Sequence, residues 1–215
     1  MNRFFLCFFL LVLFSCKNEN NAKEEISGIE ELKVNNKDIQ NDLDYSIWRK
    51  VWIELNETRL NYKNNTVYTL ARATTSKPSY VNIKVKNKGK IKTKFYYKAS
   101  IIIKSNTTDF FGFRLSESYN NRIDAIFDLK GGQIKGVQKV GQAFVKEHAS
   151  IEAMNRDGWY KCTVYGEIEE RNINIYFGPT ASNKGIVNWE GKSETLNSVY
   201  IDPNSLDVEI VKNIE

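Results

Sequence analysis

The chain has 215 residues, with 31 Lys and Arg against 26 Asp and Glu, a net charge of +5 and one histidine. That balance is mild and the lysines are spread through the chain, which argues for a solvated surface and against nucleic acid as a partner. A mildly basic surface remains compatible with acidic polysaccharides.

Taken in chain order, the first fifteen residues read as a secretory signal. Arg3 supplies the positive start, Phe4 to Phe14 contains no charge, and Ser15 is the small residue before a cut. The apolar run is too short to span a bilayer, which needs roughly 20 such residues. Leu13-Phe14-Ser15-Cys16 resembles the lipobox of bacterial lipoproteins, with Phe14 where a small residue is usual. The resemblance implies that Cys16 is acylated and becomes the new N-terminus. It also implies a bacterial cell-envelope location, at the outer membrane or cell surface. Two acyl chains, at about 0.8 kcal/mol per buried CH₂, anchor stably. The plain alternative is that Cys7 and Cys16 are apolar residues of an ordinary signal. Loss of Arg3 with the signal takes the net charge from +5 to +4. Cys162 is then the one cysteine without an assigned fate. It pairs with nothing, builds no zinc site with a single histidine, and reads as a small core residue.

Residues 16–44 are rich in Asn, Glu, Lys and Asp and carry no aromatic residue. Such a stretch buries too little apolar surface to offset its ordering entropy, so it reads as a flexible tether between the lipid and a domain at 45–215. From Tyr45 the chain alternates apolar and polar residues, with turn signals between short runs, as strands do. The spacing predicts strands near Trp48–Leu55, Thr66–Ala73 and Tyr80–Val85. Phe95, Tyr97, Ala99, Ile101 and Ile103 then share one face, and Phe111, Phe113 and Leu115 alternate against Gly112 and Arg114. Ile126 to Leu129 runs into a Gly131-Gly132 hairpin turn. After the Asp157-Gly158 turn, Tyr160, Cys162 and Val164 alternate with Trp159, Lys161 and Thr163. Ile173, Ile175 and Phe177 follow, and Leu206 to Val211 closes the chain. No long helical period interrupts them, so the expected fold is all-β, a two-sheet antiparallel sandwich.

The order of these pieces resembles jelly-roll, concanavalin-like carbohydrate-binding modules. Phe95-Tyr96-Tyr97-Lys98-Ala99 opens the block, then come Phe111-Gly112-Phe113-Arg114-Leu115-Ser116 and Ala125 to Ile134. Ala149-Ser150-Ile151-Glu152 and Asp157-Gly158-Trp159-Tyr160-Lys161-Cys162 are the most specific match, and Tyr200 to Ile210 resembles a closing strand. The resemblance implies a jelly roll and glycan binding as its commonest role. It names no ligand, because such folds host many functions.

Sugar rings need flat aromatic faces and a few directed polar groups. Tyr96, Arg114, Trp159 and Tyr176 fall on outward strand positions, while Tyr119, Arg122 and Trp189 fall in polar, loop-like settings. Trp189, Tyr119, Arg122, Arg114, Tyr96 and Tyr176 are therefore the candidate ligand contacts. Each has a plainer reading: Tyr96 covers a sheet, Trp159 packs within the fold, and Trp48 and Trp52 share a core face. Arg114 and Arg122 either grip a uronate carboxylate bidentately or pair with Glu117 or Asp124. Asp202 and Asp207, with backbone oxygens, are candidates for a structural calcium or are ordinary turn carboxylates. No other cofactor is expected.

Catalysis has weaker support. His148 sits in what reads as a polar turn, and Tyr119 with Arg122 imitates a polysaccharide lyase only thinly. Asp124 and Asp128 share a strand face, but four residues span roughly 13 Å, too far for a glycosidase pair. The expectation is a non-catalytic, membrane-anchored glycan-binding lipoprotein that captures or adheres to polysaccharide. A structural or assembly lipoprotein that binds another envelope protein is the alternative.

Overall fold

The structure is a computed structural model, and it describes residues 43–86, 95–154, 157–168, 172–181 and 185–211. The signal, Cys16 and the tether up to residue 42 lie outside the described residues. Among the described residues twelve strands form two six-stranded sheets. They are β1 (Arg49–Val51), β2 (Ile53–Tyr62), β3 (Asn65–Arg72), β4 (Tyr80–Lys86), β5 (Phe95–Ser105) and β6 (Phe110–Ser118), followed by β7 (Asn121–Asp128), β8 (Gln133–Val140), β9 (Lys146–Ala153), β10 (Trp159–Ile168), β11 (Asn172–Thr180) and β12 (Ser198–Val211). The front sheet has the order β1-β4-β11-β6-β7-β8 and the back sheet β2-β3-β12-β5-β10-β9. Every neighbouring pair is antiparallel. This is the expected all-β sandwich, consistent with a jelly-roll-like fold.

Alternation along the strands makes the core. On the front sheet Val81, Ile83 and Val85 meet Phe177, Ile175 and Ile173, which in turn face Phe113 and Leu115. On the back sheet Tyr97, Ala99, Ile101 and Ile103 of β5 lie beside Cys162 and Val164 of β10. These side chains form one buried cluster between the sheets. Each large apolar side chain removed from water contributes about 1.5–3 kcal/mol, so the period-two pattern selects this register and no other. Cys162 is wholly buried, and burial pushes its thiol far above the ordinary value. Leu43 is already part of the core, and Trp48 Nε1 donates to its carbonyl at 2.9 Å.

Two expectations change and a third holds. Trp48 is in the core, but Trp52 is 50% exposed. The run around them is two strands: β1 belongs to the front sheet and β2 to the back, and Trp52 sits at the crossing with φ 49°. The sharp bend breaks the alternation that placed both indoles on one face, and Lys77 Nζ lies 3.8 Å from the exposed ring's centroid. His148 is not in a turn but within β9, beside Tyr165. The hairpin between β7 and β8 does use Gly131-Gly132: Asp128 Oδ1 accepts from the N–H groups of Lys130 and Gly131, and Gly132 has φ 61°.

Candidate functional site

The outer face of the front sheet holds most of the candidates, and one loop decides their fate. Residues 185–193 fold back across β6, β7 and β8. A single 3-10 turn, Ile186–Asn188, starts the crossing, and Trp189 follows it. The sheet is bare where the loop lies. A Cβ on Gly112 would stand 2.3 Å from Trp189 Cδ2, and one on Gly136 would stand 2.3 Å from Ile186 Cδ1. Both glycines occupy outward positions, so their missing side chains form the trough that admits the indole. Backbone bonds fasten the loop: Ser79 N–H donates to the Glu190 carbonyl at 2.9 Å, and Ser193 N–H to the Thr75 carbonyl at 3.0 Å. The Arg72 guanidinium joins Gly191 to Lys77 through their carbonyls.

Beneath the loop lies an ionic network. Asp124 on β7 is fully buried and accepts from Arg114 Nε, from Arg122 Nε at 3.0 Å, and from Trp189 Nε1 at 3.3 Å. Arg114 on β6 also reaches both carboxylate oxygens of Glu190, at 2.7 and 3.2 Å, and the Val187 carbonyl at 3.0 Å. Burial pushes the Asp124 carboxyl up, against the downward pull of the two guanidiniums. Burial also opposes the charge on Arg114, yet Asp124 and Glu190 outweigh it and hold the guanidinium above its ordinary value. Two cations and two anions balance here. A buried charge with its hydrogen bonds satisfied is tolerable; an unpaired one is not.

Beside this network is a cavity of about 280 Å³. Tyr80, Tyr119 and Tyr176 give it aromatic walls, and Ser116, Asn188 and Glu190 give it polar ones. Tyr80 and Tyr176 meet edge-on, with centroids 5.4 Å apart. Tyr119 is 64% exposed in the turn between β6 and β7. Arg122 holds it from below: its guanidinium lies 4.4 Å from the ring centroid and donates to the Tyr119 carbonyl. A cation under a ring is attracted by the ring's negative face, which fixes the tyrosine's plane while the rest of the ring stays open. Burial, reinforced by Tyr80, pushes the Tyr176 hydroxyl above the ordinary tyrosine value, against the pull of Asn82, Arg114 and Arg49.

The structure thus brings together Arg114, Arg122, Tyr119, Tyr176 and Trp189, but not in the roles their sequence settings implied. Trp189 is not an exposed loop aromatic. It is 3% exposed, lying flat on the sheet and bonded to Asp124. Arg122 is equally enclosed and positions Tyr119. Arg114 pairs with Asp124, as one of its readings held, and with Glu190, which its sequence neighbours did not indicate. Tyr96 is buried on β5 of the back sheet, away from this face. Trp159 packs on the back sheet's outer side against Tyr62, with centroids 4.7 Å apart. Tyr80, Ser116 and Glu190 were missed. For Tyr80 the signal existed, since Val81, Ile83 and Val85 point inward and Tyr80 must point out. Glu190 had no local signal.

Asp202 and Asp207 flank the register shift of β12. Asp202 is spent on the Asn65 amide at 2.8 Å and the Asn204 N–H at 3.1 Å. Among the described residues no group of three or more His, Cys, Asp and Glu gathers to hold a metal. No protein-family model matches the chain, and no curated protein matches it.

Proposed function

We propose that this chain is a membrane-anchored lipoprotein whose β-sandwich binds a glycan without altering it. The observation that carries the reading is the tyrosine-walled cavity on the outer face of the front sheet. Sugar C–H faces pack on aromatic rings, and hydroxyls find donors and acceptors at Ser116, Asn188 and Glu190. Tyr119 offers the most open ring, and Arg122 orients it before any ligand arrives, which lowers the entropic cost of binding. Glu190, which lines the cavity, and the buried Asp124 are both engaged by Arg114, so neither is free to move a proton to or from a substrate.

A glycan array with the full chain in detergent tests this. Tyr119→Ala should weaken the strongest interaction about tenfold, the weight of one aromatic contact, without lowering the melting temperature. Silence of the wild-type chain on every glycan would overturn the reading in favour of a protein-binding role. The anchor has its own test: Cys16→Ser should abolish metabolic labelling by a fatty acid, and retained label would remove Cys16 from the anchor.

A further inference from the structure

The front sheet's outer face continues beyond Tyr176 toward β4 and β1. Arg49, Asn82, Tyr176, Arg114 and Asp124 stand opposite one another on β1, β4, β11, β6 and β7, forming one row across the strands. At about 4.8 Å per strand, the row covers about 14 Å from Arg49 to Arg114. A second cavity, of about 420 Å³, opens on the Arg49 side. Arg49, Lys84, Asn82, Asn174 and the exposed Ile47 line it, and Tyr176 is the wall it shares with the first. The two cavities are therefore neighbouring compartments of one groove.

Their electrostatics differ. In the first, the nitrogens of Arg114 are taken by Asp124, Glu190 and the Val187 carbonyl, and the Glu190 carboxylate would repel an incoming anion. In the second, Arg49 and Lys84 are exposed and, among the described residues, neither makes an ion pair. A guanidinium presents a planar fork that matches a carboxylate or sulfate, and an ammonium beside it adds a point charge.

We infer that Arg49 and Lys84 form an anion subsite next to the tyrosine cavity, and that the ligand is an acidic oligosaccharide carrying a carboxylate or sulfate. The inference rests on the glycan-binding reading and deepens it. One ring lies against Tyr119 and Tyr176, and the chain passes Tyr176 to place its acidic group between Arg49 and Lys84. The acid is thus read two to four strands away from the arginines that the sequence pointed to.

Calorimetric titration of the full chain in detergent would use three probes: a uronic acid oligomer, the same oligomer methyl-esterified, and a sulfated oligosaccharide. The variants are Arg49→Gln with Lys84→Gln, and Tyr119→Ala. At least one acidic probe should bind more tightly than the ester, and the double variant should weaken that probe about tenfold, as two partly screened charge contacts allow. The double variant should leave the ester unchanged, whereas Tyr119→Ala should weaken acid and ester alike. Preference between uronate and sulfate identifies the source of the anion. If acid and ester bind equally and the double variant changes neither, the anion subsite is overturned while glycan binding stands. If no probe binds and a wider glycan array is silent, both fall together.

Discussion

The two ends of the front sheet's outer face carry similar residues and use them in opposite ways. At β6 and β7, Arg114 under the 185–193 loop and the buried Arg122 have carboxylate partners within 3.0 Å. At β1 and β4, Arg49 and Lys84 lie open to water and, among the described residues, pair with no carboxylate. The difference follows from what covers them. Burying a cation costs several kcal/mol unless a partner is built in, whereas an exposed cation keeps its water. Which basic residue is free for a ligand is therefore set by the loop that crosses the sheet, not by the strand that carries the residue.

The largest test of that contrast removes the shared carboxylate. Asp124→Ala leaves two enclosed guanidiniums short of their partner and should destabilise the fold by about 3–5 kcal/mol in denaturant melts. Arg49→Ala, at the open end, should change stability by no more than about 0.5 kcal/mol. Equal losses from both would mean that the two ends do not differ in burial as described.

A smaller effect is expected where the loop meets the sheet. Gly112→Ala places a methyl against the indole of Trp189, and overpacking of this kind costs about 1–3 kcal/mol. The indole can leave only by lifting the loop, so tryptophan emission should move to the red as Trp189 meets water. If both stability and emission stay at wild-type values, the trough is looser than the 2.3 Å approach requires.

The interior was legible because its signal is local. Phe111, Phe113 and Leu115, or Ile173, Ile175 and Phe177, announce a buried face within five residues, and the sheets honour each one. The outer face was not legible because its burial comes from a segment some 70 residues away. Trp189 stands in a polar string, Asn188-Trp189-Glu190-Gly191, that reads as solvent-exposed. In the fold Glu190 turns to Arg114, and the Asn188 carbonyl accepts from the Gly191 N–H at 2.8 Å. The usable hint was Gly112, a residue without a side chain between two phenylalanines, marking where another segment approaches closely. Trp52 failed for a different reason. Period two holds only while the chain stays in one sheet, and a change of sheet leaves no compositional trace.

The smallest prediction sets two aspartates of one strand against each other. Asp124 and Asp128 lie four apart on β7 and face the same way, yet their carboxyls move in opposite directions. Burial dominates at Asp124. At Asp128 burial is again the largest single influence, but the Gly131 N–H, the Lys135 ammonium at 3.1 Å and the Lys130 N–H together outweigh it, so its pKa falls below the ordinary aspartate value. A carboxylate with a depressed pKa stabilises the fold above its unfolded value of about 3.9 and loses that contribution as pH drops through its lower folded value. Asp128→Asn keeps an oxygen for the two N–H groups and gives up only the ion pair. It should therefore cost under about 1 kcal/mol at neutral pH. The gap to wild type should hold steady from neutral pH down to about 4 and close below it. A gap that widened on acidification would mean that Asp128 is governed by burial, as Asp124 is, and that the covering loop reaches as far as the β7–β8 turn.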